Sequence, residues 1–128
     1  MTSVISKESL FVSRVGVFWD YENIPVPKDV DATDWALELN RVVCLFGRPQ
    51  PFYVFANFKQ VPSTVCSRLS CAGHLLCHVE DERKYKEVVD NKMHSEIYRF
   101  VEVNKPPTTI VLITGDHKFT PMISALRM

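Results

Sequence analysis

No stretch of this sequence approaches the roughly eighteen apolar residues that a membrane span requires. The first ten residues carry Lys7 and Glu8 with no apolar centre, so a secretory leader is not expected and a cytoplasmic location follows by default. Charge of one sign is lacking as well: fifteen basic residues against fifteen acidic ones leave a formal net charge of zero. Any affinity for a polyanion must then come from local patches. Paired C-x-x-C spacing is missing, and Cys44, Cys66, Cys71 and Cys77 read as small buried hydrophobes in a reducing compartment. Cys71, His74, Cys77 and His78 could be drawn as zinc ligands, but on a strand His74 and Cys77 fall on opposite faces. Glycine is scarce, at four residues, and none forms a phosphate loop after the first strand. That argues against a mononucleotide-binding or phosphatase-like protein. Repeats and low-complexity tracts are absent too.

What is present is a single domain's worth of chain, 128 residues of which 46% are hydrophobic, enough to bury an ordinary core. Residues 1–13 read as a flexible arm and residues 14–128 as the domain. The spacing predicts a strand from Arg14 to Trp19 and then, beyond Pro25 and Pro27, a helix capped by Asp31 or Thr33. Trp35, Leu39, Val42, Val43 and Phe46 form its apolar stripe, and Gly47 and Pro49 end it. Phe52 to Phe58 reads as a second strand, Pro62 to Gly73 as a short helix and His74 to Val79 as a third strand. Glu80 to Glu87 is charged enough for an exposed loop. A helix is expected from Val88 to Val103, followed by a fourth strand, Thr109 to Thr114. Thr120 and Pro121 look like the cap and first residue of a last helix. Alternating strands and helices in this order specify a doubly wound parallel sheet.

The two most apolar strands each run into an acid, Asp20 and Asp116. In open α/β sheets, ligands bind at the carboxyl edge, where strand order reverses. With the order 3-2-1-4 these two strands are neighbours and their acids flank one crevice. Asp90, near the start of the third long helix, is the third member. Three converging carboxylates repel one another, and a hard divalent cation such as Mg²⁺ or Mn²⁺ relieves that repulsion. Taken singly, each is an ordinary cap or turn aspartate.

The segments F-W-D-Y-E-N-I-P-V-P, K-E-V-V-D-N-K and L-I-T-G-D-H-K-F-T-P-M-I resemble, in order and spacing, the three acidic motifs of NYN domains, a branch of the PIN-like nuclease superfamily. The first has the limkain-type form. The resemblance covers Arg14 to Met128. It implies an α/β, three-layer PIN-like parallel sheet with helices on both faces, here lacking the final strand and so leaving the fourth strand open to a partner chain or a second copy. It also implies a Mg²⁺- or Mn²⁺-dependent endoribonuclease acting on single-stranded RNA, in RNA processing, mRNA turnover or regulation of gene expression. Asp20, Asp90 and Asp116 match the metal-binding acids, and Asn23 the asparagine of the first motif. One position departs: the third motif commonly reads G-D-x-D-F, and here Lys118 stands where a second acid is usual. An ammonium cannot ligate a metal. The rival reading is therefore a catalytically degenerate domain that binds RNA or protein.

Lys86 and Lys92 bracket Asp90 and, with Arg83, Lys84 and Lys118, could attract phosphate. His94 follows Asp90 by one turn and could hold its carboxylate or shuttle a proton. Glu96 lies on another helical face. Tyr21, Phe58 and Phe119 are candidates for stacking on bases.

Overall fold

β1 (Arg14–Asp20) occupies the middle of the sheet because its side chains serve two cores at once. Val15, Val17 and Trp19 face one apolar cluster, while Phe18 belongs to another on the opposite side. The computed structural model describes residues 14–80, 85–116 and 120–127; for Tyr85, Lys86, Asp116 and residues 120–124 it describes the backbone alone. The expected arm, residues 1–13, lies outside the described residues.

The elements that follow are α1 (Ala32–Val43), β2 (Arg48–Ala56), α2 (Ser63–Cys71), β3 (Leu75–His78), α3 (Tyr85–Val103), β4 (Thr108–Asp116) and β5 (Thr120–Arg127). The strand order is β3-β2-β1-β4-β5. The first four strands are parallel. Helices α1 and α2 cover one face through Ala36, Leu39, Val43 and Leu69. Helix α3 covers the other through Val89, Met93 and Phe100. Gly16 lets α3 sit this close, since a Cβ there would stand 3.0 Å from ring atoms of both Phe100 and Phe18.

Local chemistry sets the helix ends. Asp31 caps α1 by accepting the amides of Thr33 and Asp34 at 2.8 and 3.2 Å, the bonding that favours Asp at this position. α2 ends at Gly73, whose φ of +93° suits glycine. There the His74 amide reaches back to the Leu69 carbonyl at 3.1 Å and the Gly73 amide to Ser70 at 3.0 Å, a Schellman closure that turns His74 into the core.

Cys44 and Cys71, read as buried, are exposed, and Cys66 and Cys77 are half-buried. Three expectations about the elements also change. β2 begins four residues before Phe52, in spite of Pro49 and Pro51. Its pairing with β3 starts only at Tyr53, and its register against β1 shifts between Val15 and Val17. The prolines thus lie where one edge has no neighbour and the ladder is irregular, the places a sheet tolerates them. Helix α3 starts at Tyr85, so part of the expected charged loop is helical and Asp90 is its sixth residue rather than a group in its first turn. Lastly, the segment from Thr120 is a strand, antiparallel to β4 from Asp116↔Thr120 to Thr109↔Arg127. The sheet therefore has its fifth strand, and the β4 edge expected to be open is covered. Only residues 117–119 separate β4 from β5, too few for a crossover helix, so the apolar run folds back as a hairpin.

Candidate active site

β1 delivers Asp20 to the carboxyl edge with its side chain only 4% exposed. Its backbone is fixed on the β2 side: Asp20 stands in register with Phe55, and the Tyr21 amide donates to the Phe55 carbonyl at 3.1 Å. The loop beyond folds tightly. The Ile24 amide donates to the Asp20 carbonyl at 3.1 Å, and the buried Trp19 indole N–H donates to the Ile24 carbonyl at 2.7 Å. Within this turn the Asn23 side-chain amide donates to Asp20 Oδ2 at 2.5 Å. Asp20 Oδ1 is buried and has no hydrogen-bond partner.

Burial pushes the Asp20 carboxyl above the ordinary carboxylate range, because water no longer solvates its charge; the Asn23 side chain pulls against this. The nearby negative charge of Asp90 adds to the rise, so strand end and helix bring these two acids within electrostatic reach. Asp116 ends β4, which pairs with β1 as far as Trp19↔Ile113. Continuing that register, its Cα stands two positions beyond the one beside Asp20, about 8 Å away at ordinary strand spacings. The expected adjacency of β1 and β4, with Asp20 and Asp116 at the carboxyl ends of neighbouring strands, is thus present in the backbone. Among the described residues no three His, Cys, Asp or Glu side chains are grouped to hold a metal; that set excludes the Asp116 side chain.

The NYN domain profile matches residues 14–128. This chain belongs to the NYN domain family. It is also 26% identical over 113 residues to meiosis regulator and mRNA stability factor 1 of Mus musculus, and equally to that of Bos taurus. The match covers 88% of this chain and 6% of each relative, so the NYN domain corresponds to a small part of those proteins' length.

Around the acids of this NYN domain the supporting groups are unevenly placed. Lys92 Nζ donates to the His78 carbonyl at 2.9 Å, which holds its ammonium near the end of β3. His94 is exposed and lines an apolar groove of about 290 Å³ with Ile97, Tyr98, Val101, Ile110 and Leu126. Burial raises the pKa of Tyr53 and Cys77, and the nearby Glu96 charge adds to both, which places Glu96 on the α3 face of β2 and β3. Tyr21, a candidate for base stacking, is buried instead, its ring 5.3 Å from that of Trp19. Phe58 packs half-buried against the core beneath α1 and α2. Arg83, Lys84, Lys118 and Phe119 lie outside the described residues.

Of two further groups at this edge, Asn57 escaped the sequence reading and His78 was weighed there only as a zinc ligand. Asn57 directly follows β2, is buried, and its Oδ1 accepts the Lys59 amide at 3.1 Å. His78 ends β3; its Nδ1 accepts the Phe58 amide at 3.2 Å, so Nε2 carries the proton toward Glu80 Oε1 at 3.1 Å. The signal for both was the same one that found Asp20: a polar residue directly after an apolar strand.

Proposed function

We propose that this NYN domain is a divalent-metal-dependent endoribonuclease for single-stranded RNA, acting in mRNA turnover or processing in the cytoplasm. The observation that carries the reading is Asp20 Oδ1, a buried carboxylate oxygen with no partner, beside a second acid and on the strand edge next to a third. Leaving such an atom unsatisfied is costly in a folded protein, and a hard cation is the partner its chemistry fits. Asp20, Asp90 and Asp116 would hold Mg²⁺ or Mn²⁺. When bound, that ion would supply water activation and charge neutralisation at a scissile phosphodiester.

The protein's own groups do the rest. Asn23 fixes the Asp20 carboxylate so that Oδ1 is the free oxygen. Lys92, held at the end of β3, offers its remaining N–H groups to backbone phosphate, and Lys86 on the same helix is the second candidate. His94, with apolar neighbours, is better suited to contact at the periphery than to proton transfer. The mRNA stability function in the relatives' name agrees with RNA as the substrate class.

Cleavage of an end-labelled single-stranded RNA with Mn²⁺, for wild type and Asp20→Asn, tests the reading. A metal-dependent product that falls at least about a hundred-fold in the variant is expected, the scale for losing a charge-stabilising group. No metal-dependent product from wild type ends it. A second reading, a degenerate RNA-binding domain, is favoured by Lys118 in place of an acid; it predicts an inactive wild type and activity gained in Lys118→Asp.

A further inference from the structure

Successive residues of a strand turn to opposite sides. Phe18 packs toward α3, and so does Asp20, which feels the charge of Asp90 on that helix; Trp19 and Tyr21 belong to the core under α1 and α2. On the Tyr21 side, where the loop after β1 meets the start of α2, lies a cleft of about 330 Å³. Tyr21, Val26, Pro27 and Val65 give it apolar walls. Lys28, Thr64 and Arg68 add hydrogen-bond donors. Apolar walls with a few polar groups are the make-up of a small-ligand site, and this volume is at the lower end for one.

The walls of the cleft are tied together. Arg68 Nη1 donates to Asp31 Oδ2, while Asp31 Oδ1 accepts the Thr33 and Asp34 amides, so α2 is pinned to the start of α1. The loop between is braced by the Val30 amide on the Pro27 carbonyl at 3.1 Å. Both members of the Arg68–Asp31 pair are about half exposed, where an ion pair adds little stability. Its other effect is to cancel charge. Among the lining residues Lys28 alone is then left as a net charge, and Arg68 keeps further N–H groups to donate. A nucleotide matches both parts: a neutral, planar, hydrogen-bonding base for the walls and Arg68, and a phosphate for Lys28.

We propose that this cleft is a nucleoside subsite, taking the base of one nucleotide of the single-stranded RNA whose phosphodiester lies at Asp20. It rests on the nuclease reading above for its substrate class. The bases of a single strand are unstacked and can be splayed out into such a cleft, which a duplex does not allow. The strand then crosses the carboxyl edge of the sheet, from Lys92 on α3 to Lys28 beside α1.

The test reads binding rather than cleavage. Fluorescence anisotropy on the intact chain in EDTA follows the shortest single-stranded RNA that binds at full affinity, which leaves no room to slide, with one abasic nucleotide moved along it. Affinity should fall roughly five- to a hundred-fold when the abasic nucleotide reaches one position, the scale for removing a bound base. Asp31→Asn/Arg68→Leu keeps a capping residue and the net charge. In it that position-specific loss should shrink, with the salt dependence unchanged because no phosphate contact is lost. Lys28→Met should instead lower the salt slope by about one. A 4-thiouridine at the same position should crosslink to residues 21–32 or 62–68. If the double variant does not fold, the abasic scan and the crosslink carry the test. A flat scan, a loss undiminished in the double variant, or crosslinks confined to α3 overturn the subsite and leave the nuclease reading to its own Mn²⁺ product. Wild type that binds no RNA overturns the subsite, and if Mn²⁺-dependent cleavage is missing as well, both fall.

Discussion

Asp20 and His74 are buried to the same degree, at 4% and 3% exposure, and each keeps one heteroatom without a partner, yet their surroundings differ in kind. His74 is boxed by rings: it stacks on Phe52 at 3.8 Å and stands edge-on to Trp19 at 6.0 Å. Its Nε2 lies 2.8 Å from Asn40 Oδ1, and the Asn40 amide donates to the Ala72 carbonyl at 3.1 Å, so one histidine ties α1 to the end of α2. Burial lowers its pKa to about 4, which keeps it neutral. Asp20 instead faces the negative charge of Asp90, with amide donors of Asn23 and Glu22 pulling against its burial. A neutral ring among rings completes a core. A carboxylate held beside a like charge costs stability and is useful only to something that binds there.

Removing each group should separate the two roles. His74→Ala is expected to cost about 3 kcal/mol, the scale of deleting a buried ring, read as a lowered urea midpoint, while leaving Asp20-dependent Mn²⁺ affinity within about two-fold. A stable His74→Ala, or one with Mn²⁺ binding abolished, breaks the comparison.

Acid sharpens it, because the two groups have opposite signs. The folded pKa of His74, about 4, lies below its ordinary 6.5, so the unfolded chain takes up the proton first. Stability from this group is whole above pH 6.5 and is lost on acidification toward pH 4, at up to about 1.4 kcal/mol per pH unit. Asp20 is raised above 3.8, so the folded state binds that proton first and regains stability as pH falls through its folded value. Asp20→Asn should therefore be more stable than wild type at pH 7.5, by roughly 1 kcal/mol, and lose stability more steeply in acid. Urea unfolding at a series of pH values from 7.5 to 4 checks both slopes.

Smaller effects probe the sheet and its edge. Gly16→Ala should cost about 1 to 3 kcal/mol in thermal unfolding, since the new methyl group meets Phe100 and Phe18 within a packed layer. Lys92→Met should change stability by less than about 1 kcal/mol. Fluorescence titrations against salt should show RNA affinity weakened uniformly across sequences, with the salt slope reduced by about one.

Legibility in the sequence followed the physics of each element. β1 and β4 could be read because strands buried on both faces admit only apolar side chains, and the acid after each marks an edge. The alternation of elements gave a doubly wound sheet, in which 3-2-1-4 was one order to assume, and Asp31 followed from its capping chemistry. β5 was misread because a short apolar run opening with Thr120 and Pro121 serves a helix or a strand equally well. Its pairing with β4, a contact across the hairpin, decided between them. The start of α3 was missed because its first turn is charged, and the extent of β2 because its prolines lie where β3 has not begun. Gly115 was legible only as the glycine of the third motif; that a Cβ there would stand 3.1 Å from Asn23 Cβ shows only once the neighbouring loop is in place.

The return of β5 has one more consequence. Arg127 pairs with Thr109, and Arg14 pairs with Thr108, so both ends of the described chain emerge beside the start of β4, across the sheet from Asp20. Within the described residues, the edge that carries Asp20 and the edge where Arg14 and Arg127 stand are thus opposite ends of the same strands.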